Sequence, residues 1–237
     1  MNTQHAPKFQ EEYSAKLPAL ALLNNLGWSY LSPEEALAAR AGKPDQVVLT
    51  HLLREQLAKR TFTFGGQEYS LSDKAIDNLI AEVNSPALNQ GLLTANERLY
   101  NHLMYGISVT EFIDGKKANP TIALIDWHHP TNNSFVFSEE FTVTRANGVE
   151  SRRPDIVCFV NGIPLVVIEA KRPDGNAKKV PTIGEGISQT LRNQRHDEIP
   201  RLFVYSQLLL SINGHDGRYG TCGTSAKFWA TWREEDL

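Results

Sequence analysis

Residues 152–171 read Arg-Arg-Pro-Asp-Ile-Val-Cys-Phe-Val-Asn-Gly-Ile-Pro-Leu-Val-Val-Ile-Glu-Ala-Lys, two apolar runs joined by Asn161-Gly162. An Asn-Gly pair between β-rich runs is among the strongest local signals of a hairpin, because both residues tolerate the positive φ of a tight turn. Folding that hairpin returns Asp155, at the head of the first run, to Glu169 and Lys171 at the end of the second. Three charges beside Val, Ile and Phe are costly unless they are paired or hold a cation. Two adjacent carboxylates suit a divalent metal ion, and a neighbouring lysine suits an anionic substrate. The pattern points to metal-dependent phosphodiester chemistry.

Strand geometry makes this demanding. A plain two-residue turn would set Asp155 opposite Ile168, leaving Asp155 and Glu169 on opposite faces of the sheet. A shared ion therefore requires a three-residue connection or a strand bulge. Glu169 and Lys171 share a face in any register, with Ala170 turned away. Acids and lysines at strand ends are more often simply solvated. Against that, Pro154 stiffens the entry to the strand, and Leu165-Val166-Val167-Ile168 runs straight into the acid. Such breaks of local pattern mark functional sites.

Pro154-Asp155 followed by Glu169-Ala170-Lys171 matches the PD-(D/E)xK nuclease motif. More specific are Leu124-Ile125-Asp126-Trp127, Pro130-Thr131-Asn132-Asn133-Ser134-Phe135, Arg153-Pro154-Asp155-Ile156-Val157 and Phe159-Val160-Asn161-Gly162-Ile163-Pro164-Leu165. With Ile199-Pro200-Arg201-Leu202-Phe203 and Arg218-Tyr219-Gly220-Thr221, they resemble the N-terminal nuclease domain of the type I restriction enzyme R (HsdR) subunit, over roughly residues 95–232. The resemblance implies a restriction-endonuclease-like α/β/α fold and cleavage of double-stranded DNA with Mg²⁺, which Mn²⁺ is able to replace. It implies Asp155 and Glu169 as metal ligands and Lys171 as the catalytic cation. Gln189, Arg153, Arg172 and Arg192 are the expected DNA-contacting or supporting residues. A glutamate of the first helix, Glu12 or Glu11, is a further candidate. The family's Gln-x-x-x-Tyr pattern is met at Gln189, but Asn193 stands at the tyrosine position. His128, His129 and Asp126 are expected to pack or support the fold.

The resemblance also implies methyltransferase and specificity subunits as partners and an ATP-driven motor elsewhere in the full-length enzyme. No G-x-x-x-x-G-K-[ST] phosphate loop occurs here; Gly115-Lys116-Lys117 lacks the spacing and the hydroxyl. ATP is thus expected to serve the full-length enzyme only, and the chain to be a nuclease fragment. A stand-alone repair nuclease of the same fold, or a non-catalytic DNA- or subunit-binding module, are the alternatives.

A formal net charge of −3 over 237 residues is unusual for a DNA-binding protein. Cations nevertheless gather near the motif at Arg145, Arg152, Arg153, Lys171, Arg172, Lys178, Lys179, Arg192, Arg195 and Arg201, partly offset by acids. Partner subunits that deliver DNA would lessen the need for a basic patch. No apolar run approaches a membrane span, and two isolated cysteines, Cys158 and Cys222, argue for a reducing cytoplasm and against zinc.

Periodicity predicts helices over 10–26 with Tyr13, Leu17, Leu20, Leu23 and Leu26 inward, a short one from Pro33, and others over 45–59, 72–83, 94–105 and 184–194. Thr94-Ala95-Asn96-Glu97 reads as a capping box. Strands are expected at 61–64, 107–113, 121–127, 135–143, the two hairpin arms, 201–206 and 227–231. This gives a mixed sheet flanked by helices, with a seam between Val83 and Thr94 separating an N-terminal helical region (1–90) from a nuclease core (91–237).

Overall fold

The computed structural model describes residues 15–172 and 183–233. Helix α1 (Leu17–Asn25) stops at Gly27, whose φ of +89° lets the Trp28 N–H reach the Leu23 carbonyl. Strand β1 (Ser29–Leu31) leads into α2 (Pro33–Ala38), opened by a Ser32/Glu35 capping box. Helix α3 (Thr50–Leu57), the hairpin β2 (Thr61–Phe64) and β3 (Gln67–Ser70), α4 (Asp73–Asn84) and α5 (Leu92–Tyr105) follow. Short strands β4 (Ile107–Ser108), β5 (Glu111–Ile113), β6 (Lys116–Ala118) and β7 (Thr121–Ile122) precede β8 (Phe135–Glu139), β9 (Val143–Thr144) and β10 (Ser151–Arg152). The central hairpin is β11 (Ile156–Val160) and β12 (Ile163–Ala170). Beyond it lie α6 (Ile183–Asn193), α7 (Pro200–Tyr205), β13 (Leu208–Ile212), β14 (Gly217–Gly220) and β15 (Ala230–Thr231).

A seven-stranded sheet runs in the order β1-β8-β11-β12-β13-β14-β15. It is mixed: β1 is parallel to β8 and β12 to β13, while the other neighbours are antiparallel. One face presents Val157, Phe159, Val167 and Leu209 to a core shared with Leu79, Leu99, Ile187 and Leu202 of α4–α7. The other presents Phe137, Ile156, Cys158 and Ile168 to Ala19, Leu20 and Leu23 of α1. Helices thus cover both faces of a mixed sheet, as expected.

Several local expectations fail for identifiable reasons. Residues 201–206 form α7, not a strand: Pro200 occupies the first helical turn, and the helix is tied down by Arg201 to the Asn84 carbonyl and by the Tyr205 hydroxyl to the Val83 carbonyl. The strand is the next segment, β13. Thr94 is not a cap, because α5 already begins at Leu92 after Gly91. Asn96 instead donates to the carbonyls of Phe203, Val204 and Ser206, joining α5 to the end of α7. Of 121–127 only Thr121–Ile122 is strand, and 107–113 breaks into β4 and β5. The run 135–143 breaks after Glu139, since Glu140 takes a φ of +48°. Of 45–59 only Thr50–Leu57 is helical, and 227–231 holds a 3₁₀ turn before β15. Of the residues expected inward on the first helix, Leu17 and, just past its end, Leu26 are exposed, and Tyr13 lies outside the described residues.

Candidate metal centre

The hairpin solves its register problem with a bulge. Asn161 and Gly162 both have positive φ, +53° and +82°, forming a two-residue turn that pairs Val160 with Ile163. Phe159 then pairs with Pro164 but Cys158 with Val166, so Leu165 is an extra residue. From there Val157 meets Val167 and Ile156 meets Ile168, which continues to Asp155 beside Glu169 on one face. Of the two arrangements open to the metal-site reading, a three-residue connection or a bulge, the structure has the bulge.

Around this pair the polar groups converge. Asp155 Oδ2 accepts the Ala170 N–H at 2.8 Å. Lys171 Nζ lies 3.6 Å from Asp155 Oδ2 and 3.8 Å from Glu169 Oε2, its side chain almost wholly buried. Gln189 Nε2, from α6, donates to Glu169 Oε2 at 2.8 Å. Glu169 is fully buried, and its other oxygen, Oε1, meets no hydrogen-bond donor. Burial first, then the negative charge of Asp155, pushes the Glu169 carboxyl well above the usual range, while Lys171 pulls the other way. An orphaned buried carboxylate oxygen next to a second carboxylate is a donor set that fits a hard, oxygen-seeking divalent ion. Among the described residues no group of three or more His, Cys, Asp or Glu is clustered for a metal.

The other candidates divide. Gln189 joins the centre. Arg153 is exposed and 3.8 Å from Glu140, and Arg172 is exposed beside Lys171. Arg192 turns to Asn193 Oδ1, while Asn193 is buried and its carbonyl accepts the Ile199 N–H, closing α6 where the family pattern has tyrosine. Glu11, Glu12, Lys178 and Lys179 lie outside the described residues. Arg145 and Arg152 are engaged with Glu198, and Arg201 with Gln46 and Asn84, so these cations serve the fold. Asp126 sits at the turn end of the hairpin, where it accepts from the His129 N–H and from Asn132 Nδ2; His128 and His129 are exposed there. All three are remote from Glu169.

Sequence reading missed Lys16, which bridges Glu139 and Glu140 at 2.8 and 3.0 Å. The Glu140 N–H in turn donates to the Asp155 carbonyl. Also missed were Ser211, which pairs with Glu169 across β12 and β13, and Gly186, which faces it from α6. No local pattern announces either one, because their partners are distant in the chain.

Residues 8–228 match the family described as the type I restriction enzyme R protein N terminus. The chain is 29% identical over 222 residues to the type I restriction enzyme HindI endonuclease subunit of Haemophilus influenzae, covering 92% of this chain and 20% of that protein. It is 30% identical over 190 residues to a Methanocaldococcus jannaschii chain assigned as the type I restriction enzyme MjaVIIIP endonuclease subunit, covering 79% of this chain and 16% of the relative. The chain therefore spans about a fifth of the length of the curated relatives it matches. With the family match extending over most of its length and the expected α/β sheet beneath it, this chain belongs to the family of type I restriction enzyme R protein N-terminal domains.

Proposed function

We propose that this chain is the endonuclease domain of a type I restriction R subunit, hydrolysing phosphodiester bonds of double-stranded DNA at the Asp155–Glu169–Lys171 centre. The observation that carries the reading is the Leu165 bulge, which brings Asp155 to the face that Glu169 and Lys171 share, where Glu169 Oε1 meets no donor. Asp155 and Glu169 would hold Mg²⁺, or Mn²⁺ in its place. The ion, when bound, supplies charge neutralisation at the phosphate and a more acidic water.

The remaining work belongs to the chain itself. Gln189 fixes one oxygen of Glu169 and so aims the other, and the Ala170 N–H fixes Asp155. Lys171, held between both carboxylates, is a buried cation able to orient the attacking water or hold a phosphate oxygen as negative charge builds in the transition state. Arg153 and Arg172 lie exposed beside Asp155 and Lys171 in sequence, suited to flanking phosphates. Methyltransferase and specificity subunits would bring DNA to the site, which accords with the chain's net charge of −3.

No helix among the described residues is long and apolar enough to cross a membrane. Cys158 and Cys222 are unpaired, buried thiols, each pushed up to about 12 by burial, and a reducing cytoplasm is the compartment they fit.

The test is relaxation of supercoiled plasmid by the purified chain at low salt with Mg²⁺, Mn²⁺ or EDTA, beside Lys171→Ala. Metal-dependent nicking that Lys171→Ala abolishes supports the reading. Equal nicking by Lys171→Ala, or nicking in EDTA, refutes it.

A further inference from the structure

Resting on that metal-site reading, we infer that Gly186 and Ser211 are positioning residues: they form a notch that sets the height of α6 over the carboxylate pair. Glycine inside an amphipathic helix costs stability relative to alanine, so its presence on the packed face calls for a reason. The reason is steric. A Cβ at Gly186 would overlap Ser211 Oγ, lie 3.2 Å from Ser211 Cβ and touch the Lys171 stem at Cγ, 3.4 Å away.

Ser211 is fully buried on β13, directly beside Glu169 in the ladder, and its hydroxyl donates to the Ile183 carbonyl at the start of α6 at 2.9 Å. One hydroxyl thus ties down the helix start, and one missing methyl lets the next turn sit against it. Gln189, three residues on and on the same side of the helix, extends from this platform to Glu169 Oε2. The Lys171 stem passes under the same glycine. The notch therefore fixes both neighbours of Glu169 at once, although neither Gly186 nor Ser211 is assigned to the ion.

The experiment is calorimetric titration of Mn²⁺ into the chain as wild type, Gly186→Ala, Ser211→Ala, the double variant and Gln189→Ala, with thermal melts alongside. Outer partners that orient ligands are worth about 10- to 100-fold in metal affinity. Gly186→Ala and Gln189→Ala are each expected to weaken Mn²⁺ binding about tenfold. The double variant, with the blocking hydroxyl removed, is expected to return to the affinity of Ser211→Ala. Wild-type affinity in Gly186→Ala would mean that the hydroxyl swings aside, and would overturn the inference. So would a lowered melting temperature with unchanged affinity, or a double variant that falls below Ser211→Ala by as much as Gly186→Ala falls below the wild type. If Gly186→Ala does not fold, the double variant is compared with Ser211→Ala alone: equal affinity supports the notch and a tenfold deficit overturns it. Absence of Mn²⁺ binding in the wild type would instead refute the metal-site reading beneath it.

Discussion

Replacing Asn161 by alanine removes the polar pin that holds the hairpin turn. Its side chain is fully buried, accepts from the Ser134 N–H, and donates to the Leu124 carbonyl and to Asn133 Oδ1, each at 2.8 Å. Asn133 Oδ1 keeps other donors, the Asp126 N–H among them. The Ser134 N–H and Leu124 carbonyl lose this partner, at roughly 1–3 kcal/mol each for buried groups. Alanine also gives up about 1 kcal/mol in the left-handed conformation that Asn161 occupies. The expected loss is roughly 3–7 kcal/mol, a large part of the ~5–15 kcal/mol that holds a typical domain. Asn161→Gly should lose the same hydrogen bonds without the backbone strain and fall about 1 kcal/mol less. Urea denaturation measures both, with the midpoint moving at constant m. The turn lies about 20 Å from Asp155 by strand rise, so folded variants should keep wild-type Mn²⁺ affinity. Alanine within 1 kcal/mol of wild type by that assay would refute the reasoning.

Three further outcomes are expected. Gly162→Ala should destabilise severely, because φ is +82° and the new Cβ would meet the Leu49 carbonyl oxygen at 2.5 Å; a melt unchanged from wild type would contradict this. Glu169→Gln should raise the metal-free melting temperature, since burial and the neighbouring Asp155 oppose the charged form of this carboxyl and a neutral amide avoids that cost; a lower melting temperature would count against the burial argument. Glu198, hydrogen-bonded by Arg152, is held below the usual carboxylate range. A depressed carboxyl contributes stability above its unfolded value of about 4.5 and loses it as pH falls through its folded value. Acid titration of stability should therefore be flatter in Glu198→Gln than in wild type, and parallel curves would exclude the pair.

The hairpin and its charged end were legible because the turn, the apolar arms and the acids are consecutive, and strand geometry with a shared ion called for either a three-residue connection or a bulge, of which Leu165 provides the second. Gln189 was legible only through family resemblance. The short strands and α7 were not, since tertiary partners decide them: Asn96 serves α7 rather than its own helix, and Arg201 and Tyr205 hold as helix a run whose composition favours strand. Ser211 and Gly186 escaped notice for a related reason. A glycine is informative only once the atom that would strike its Cβ is known.

The most direct test of the central claim is anomalous scattering from crystals of the chain soaked in Mn²⁺. The account predicts a peak touching the carboxylates of Asp155 and Glu169, on the Oε1 side of Glu169, that disappears in Asp155→Ala. A map with no peak between these carboxylates, or with manganese bound only elsewhere, would contradict it.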